Sequence, residues 1–223
     1  MITLTGVSLK HSVHSVDCVL PDGEVTYLLG LNGAGKTSLL RAIAGVVQPV
    51  AGSITVSEAE HALLSGRNIG MSISADAFKP SQTGRRHLSW VTALCGMDDR
   101  QVEMLIDGYG LAEFADRRIR TYSLGMRQRL AIAAAMVGDP QHILLDEPLN
   151  GLDVQGVEWM RDLVRSWAEQ GRCVVIASHN LDEITRSGDN VLLFANVSAQ
   201  LYSLSILLEC YSTLEAAFHD LNV

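Results

Sequence analysis

Four short stretches carry residues whose types and spacing could do chemistry. Gly30-Leu-Asn32-Gly33-Ala34-Gly35-Lys36-Thr37 matches glycine, any four residues, then Gly-Lys-Ser/Thr, with Ser38 next. The glycines let backbone N–H groups turn inward and cradle phosphate oxygens. Lys36 can reach the β- and γ-phosphates, and the Thr37 hydroxyl can ligate Mg²⁺. His142-Ile-Leu-Leu-Asp146-Glu147-Pro148 is an apolar stretch that ends on two acids. Asp146 suits a Mg²⁺ ligand, and Glu147 suits a general base that polarises an attacking water. Ala177-Ser178-His179-Asn180 repeats that arrangement with an imidazole, which could contact a γ-phosphate and the attacking water. Tyr122-Ser123-Leu124-Gly125-Met126 places a hydroxyl and a glycine just ahead of the apolar run Leu130 to Val137. That is equipment for holding an anion at a helix N-terminus. The chain thus carries two anion sites.

These residues need a frame that brings them together. Residues 2–9 alternate apolar and polar and read as a half-exposed strand, and Gly52 to Val56 as another. Pro21-Asp22-Gly23 marks a turn. Glu24 to Leu29, His142 to Leu145, Cys173 to Ala177 and Val191 to Phe194 read as short buried strands. Helices are expected from about Lys36 to Ala44, over much of Gly84 to Arg120, and at Leu130 to Val137. Val157, Met160, Leu163, Val164 and Trp167 fall at helical spacing and predict one buried face. Strands alternating with helices predict an α/β fold with a mostly parallel sheet covered on both faces. The phosphate loop, both acids and His179 would then share the carboxyl edge of that sheet.

Composition narrows the class. The chain has 223 residues, with 48% hydrophobic and 19% charged, as in a globular chain with a sizeable core. The formal net charge is −8, which argues against broad, sequence-independent binding to nucleic acid. Cys18, Cys95, Cys173 and Cys210 are scattered, with no C-x-x-C pair, and suggest reduced thiols in cytoplasm. The start lacks a basic stretch followed by an apolar run, so no signal peptide is expected. No apolar run approaches the roughly 20 residues that span a bilayer.

The ordered set resembles the ATP-binding cassette ATPases, the motor subunits of ABC transporters. GLNGAGKTS (residues 30–38) is similar to their Walker A motif and HILLDEP (residues 142–148) to Walker B with its catalytic glutamate, Glu147. LNGLD (residues 149–153) is similar to the D-loop, with Asp153 in its acidic position. His179 matches the switch histidine, and YSLGMRQR (residues 122–129) matches the signature loop, usually written LSGGQ. The resemblance implies a P-loop NTPase core with an N-terminal antiparallel β subdomain, over about residues 1–75 and 140–223. A helical subdomain would occupy about residues 76–139. It also implies ATP and Mg²⁺ as ligands and a second ATPase subunit, whose Walker A site would receive Ser123, Leu124 and Gly125. An integral membrane permease would complete the machine, holding the chain on the inner face of the membrane.

Three departures stand out. Leu124 replaces a glycine and Met126 the glutamine of the signature, a pattern similar to bacterial drug, bacteriocin and bacitracin export cassettes. Ser74 falls where the family carries the Q-loop glutamine, with Asp76 or Gln82 as alternatives. No aromatic residue precedes Tyr27 to stack on adenine; His11 or His14 could stack instead, or be plain exposed strand or loop residues. Residues 212–221 resemble the helix that ends many drug-export cassettes. The expected function is an ATPase subunit of an exporter. The alternatives are a cassette working away from a membrane, or a weakly hydrolysing regulator.

Overall fold

The computed structural model describes residues 1–10, 15–57, 68–72, 78–195 and 198–221. Among these, chain order gives β1 (Ile2–Ser8), β2 (Val16–Leu20), β3 (Val25–Leu29), α1 (Lys36–Ile43), β4 (Ala51–Val56) and β5 (Ile69–Met71). Then come α2 (Gly84–Leu94), α3 (Asp99–Gly108), a 3₁₀ turn (Ile119–Thr121), α4 (Leu124–Ala135) and β6 (His142–Asp146). The rest is α5 (Val154–Glu169), β7 (Cys173–Ala177), α6 (Leu181–Ser187), β8 (Asn190–Ala195), β9 (Ser198–Ser203), α7 (Leu204–Cys210) and α8 (Leu214–Leu221).

Two sheets result. A small antiparallel one runs β2-β1-β4, and a six-stranded one runs β5-β6-β7-β3-β8-β9. The larger is parallel except for β9, which pairs antiparallel with β8. Strands β3 and β7 are buried at all five positions, as continuous apolar runs covered on both faces must be. Helix α1 contributes Leu39, Leu40 and Ile43 to a core shared with Ile2 and Leu4 of the small sheet and Leu28, Leu144, Val175 and Leu192 of the large one. At about 1.5–3 kcal/mol per fully buried side chain, those three residues anchor the helix that follows the phosphate loop. A second core fills the other face of the large sheet and includes Leu88, Val102, Leu105, Ile106 and Leu111, with Met160, Val164 and Trp167 of α5.

One expectation needs correction, and one strand was not predicted. The helix placed at Leu130 to Val137 begins earlier, at Leu124, and Ser123 is its N-cap. The interspersed Arg127 and Arg129 hid its first turn, because no apolar periodicity marks it. Strand β9 lacks a continuous apolar run: it forms a sheet edge, with Ala199 its one buried residue, and no strand pattern marks it. Among the described residues, no helix is long and apolar enough to cross a membrane. All four cysteines are free.

Candidate active site

The register of the large sheet decides which residues meet. Leu28 and Asp146 both pair with Ala177, so the ends of β3, β6 and β7 lie level. The residues just beyond them, Gly30, Glu147 and His179, therefore emerge at one edge, where open α/β sheets bind ligands.

The loop from Gly30 into α1 needs glycine at two turns, because Gly33 has φ 84° and Gly35 φ 105°. Gly35 caps α1 without a side-chain bond, so the first-turn amides of Lys36, Thr37 and Ser38 face outward uncapped. That is a ready cradle for phosphate oxygens. Lys36 folds over the loop, donating to the carbonyls of Gly30 at 2.7 Å and Leu31 at 3.2 Å. Burial lowers its ammonium below the ordinary 10.5, while Glu147 and Asp146 pull the other way. The Thr37 hydroxyl donates to Asp146 Oδ1 at 3.1 Å across the edge. A cavity of about 290 Å³ is lined by Asn32, Gly33, Gly35 to Ser38, Asp146 and Glu147; Ala34 stands in the same turn.

Glu147 sits in the left-handed backbone region, at φ 49°. Its amide donates to the Ala177 carbonyl at 2.9 Å, which ties it to β7. His179 Nδ1 lies 3.0 Å from both oxygens of Glu147. An ionised carboxylate can only accept, so Nδ1 carries the proton of that bond. The donor set fits Mg²⁺: a hydroxyl and a carboxylate side by side. No cluster of three or more His, Cys, Asp or Glu suited to another metal occurs among the described residues.

The second anion site lies at the start of α4. Ser123 Oγ accepts from Met126 N at 3.2 Å, and Met126 Sδ accepts from Ser123 N at 3.4 Å, a capping box built with sulfur. A hydroxyl that accepts one bond still has its proton to donate. The Leu124 and Gly125 amides, in the first turn, take no backbone acceptor. A separate cavity of about 290 Å³ is lined by Ser123 to Met126, Arg129 and residues 151–153. Asp153 caps α5, accepting from Gly156 N at 2.8 Å. Ser74 lies outside the described residues, as do Asp76, His11 and His14. Gln82 is half-buried, and its carbonyl accepts from Ile119 N. A larger cavity, about 590 Å³, lies at the opposite edge of the sheet, where Glu24 and Asp189 are taken up by Asn190 and Arg165.

A model of the ABC transporter family matches residues 13–150. The chain belongs to the ABC transporter family. It is 32% identical to the lantibiotic transport ATP-binding protein SrtF of Streptococcus pyogenes over 177 residues, covering 79% of this chain and 77% of that protein. It is 30% identical to the ABC transporter ATP-binding protein NatA of Bacillus subtilis (strain 168) over 209 residues, covering 86% and 85%. A solved ATP-binding subunit of an ABC transporter superposes with TM-score 0.87 at 20% identity, over all of both chains. A cassette solved as a post-hydrolysis dimer with ADP and Pi gives 0.80 at 21%, covering 92% of this chain and 99% of that one. These two establish the fold. As an ABC transporter ATP-binding subunit, the chain binds and hydrolyses ATP.

The sequence pattern gives no role to Gly151, Gly84 or the part-buried pair Arg161–Glu183 (2.6 Å) that clamps α5 to α6. Asn150-Gly151 is a turn signal and could have been found. The other two depend on residues far apart in sequence.

Proposed function

We propose that two copies of the chain close head to tail on two ATP molecules, and that closure and hydrolysis drive a separate integral membrane permease in export. One observation carries the pairing. The cavity at Ser123, Leu124 and Gly125 shares no lining residue with the cavity at Lys36 and Thr37, so each anion site is open on its own. A helix N-terminus with a free hydroxyl proton attracts a terminal phosphate brought by another copy. The helical part, about residues 76–139, would carry that site as a subdomain beside the core. The names of relatives such as the lantibiotic transport protein support a role in transport; export, and a chain held at the inner face of the membrane through the permease, rest on the resemblance of the signature to export cassettes.

In this reading Lys36 and the uncapped amides of α1 neutralise the phosphates. Glu147 accepts a proton from the attacking water at its carboxylate, and His179 orients that carboxylate through Nδ1–H. Thr37 and Asp146 would hold Mg²⁺, which when bound disperses phosphate charge. Asp153 keeps the start of α5 in place at the mouth of the signature cavity.

Glu147→Gln tests it. The variant keeps shape but cannot take the proton, so ATP accumulates in a closed pair. Light scattering with ATP and Mg²⁺ should give twice the chain mass, and a monomer under those conditions refutes the pairing. Co-purification in detergent with a multi-span protein tests the permease, and isolation of the chain without one refutes that part.

A further inference from the structure

Leu124 stands where the resembled signature carries glycine, and its side chain has a definite place. A Cβ built on Gly151 would overlap Leu124 Cγ and Cδ2 and come within 3.1 Å of Leu124 Cβ. The converse contact lies beside it. A Cβ on Gly125 would sit 3.5 Å from Leu152 Cδ2 and 3.7 Å from the Gly151 carbonyl. Each loop therefore offers one leucine and one glycine, and each leucine covers the glycine of the other loop. Gly151 has φ 78°, a conformation glycine takes without strain.

The loop that Leu124 covers leads straight from Glu147. Asn150 N donates to the Glu147 carbonyl at 3.3 Å and Leu152 N to the Leu149 carbonyl at 3.1 Å, so the turn is braced. Its far end is pinned by the Asp153 cap on α5. Leu124 is 41% exposed, and its contact with Gly151 joins the signature loop to the turn that starts at Glu147.

We propose that Leu124 is a positioning residue for hydrolysis. It holds the Glu147–Asp153 loop against the signature loop, so that a phosphate docking at Ser123 and Gly125 sets the orientation of this chain's own Glu147. The proposal rests on the head-to-tail pairing proposed above. It adds a route by which each chain's hydrolytic carboxylate answers to the nucleotide held by its partner.

The test measures kcat and KM for ATP in Leu124→Ala, Leu124→Met, Gly151→Ala and the Leu124→Ala/Gly151→Ala double variant. Leu124→Ala should lower kcat roughly tenfold, the scale of a modest misplacement of a catalytic group, with KM changed less than about twofold. Leu124→Met, of similar volume, should restore most of the rate. Gly151→Ala adds backbone strain and a collision with Leu124. The strain is common to both backgrounds and cancels in the cycle, so the loss in kcat should be at least about fivefold smaller when Leu124 is already alanine. Unchanged kcat in Leu124→Ala, or multiplicative losses in the cycle, overturns the proposal while leaving the pairing intact. If Gly151→Ala fails to fold, the Leu124→Ala and Leu124→Met pair decides: loss with rescue supports the proposal, and loss without rescue overturns it. Pairing is scored apart from this, as the dependence of wild-type specific activity on chain concentration. A rate per chain independent of concentration down to the monomer overturns the pairing and the proposal with it.

Discussion

Tyr122→Phe removes one oxygen atom from the residue that opens the signature loop. Tyr122 is buried, and its ring meets the edge of Phe114 at 5.0 Å and 86°. Phenylalanine keeps that packing, so the hydroxyl is tested alone. The hydroxyl donates to the Phe114 carbonyl at 2.7 Å and accepts from Gly84 N at 3.2 Å. Without it, the Phe114 carbonyl still receives Arg117 N at 2.9 Å, whereas Gly84 N–H, in the first turn of α2, has no other acceptor among the described residues. One lost bond costs about 1 kcal/mol and one orphaned buried donor about 1–3, for a total of about 2–4 kcal/mol. For a chain of this length, that lowers the melting temperature by about 4–16 °C. Urea denaturation followed by far-ultraviolet circular dichroism gives the free energy, and a thermal scan gives the shift. A second substitution sharpens the reasoning. A Cβ on Gly84 would overlap the Tyr122 hydroxyl, so Gly84→Ala should be costly in the wild type and much milder in the Tyr122→Phe background. A cost below about 1 kcal/mol for Tyr122→Phe, or strict additivity of the pair, refutes this account of why the loop holds its place.

Lys36→Ala removes the loop's cation, and isothermal titration should show ATP affinity weakened about 10- to 150-fold, the scale of a lost charge-assisted contact; an unchanged Kd refutes the phosphate-loop reading. Asp153→Ala should destabilise by about 1 kcal/mol in urea through loss of the α5 cap, while Asp153→Asn should be nearly neutral; equal losses would show that the charge rather than the cap matters. Burial lowers the pKa of His87, wedged against Phe78 with Nε2 unpartnered, below its ordinary 6.5. The folded chain then binds that proton more weakly than the unfolded one. Stability is complete above about pH 6.5 and is lost as pH falls towards the folded-state value. His142, lowered by burial and by the nearby N-terminal amine, adds to the same acid loss. His87→Phe should flatten the urea midpoint against pH below 6.5, leaving the share due to His142; an unchanged slope contradicts the assignment.

What the sequence made legible was what neighbours along the chain decide. The glycines before Lys36 and the acids that end an apolar strand are local patterns, and the strands they follow were read from short apolar runs. The cap role of Ser123 is half-visible in the sequence: its hydroxyl precedes an apolar run, but Gly125 and two arginines mask the first turn of the helix. The meeting of Leu124 with Gly151 depends on how α4 lies against the turn before α5, and no periodicity encodes that. The same holds for Tyr122 and Gly84, 38 positions apart. His142, expected only to begin a strand, turned out fully buried among Met1, Asp22 and Ser57.

The strand order has a consequence for the birth of the molecule. Strand β3, which delivers the phosphate loop, precedes β4, β5 and β6 in the chain, yet its two neighbours in the sheet are β7 and β8. Their ladder partners begin at Val174 and Asn190, so the loop leaves the ribosome long before anything can hold its strand flat. Loop closure over that span is slow compared with local helix formation. The nucleotide site is thus encoded before its sheet can close, and ATP gains purchase on a nascent chain only once β7 and β8 have been translated.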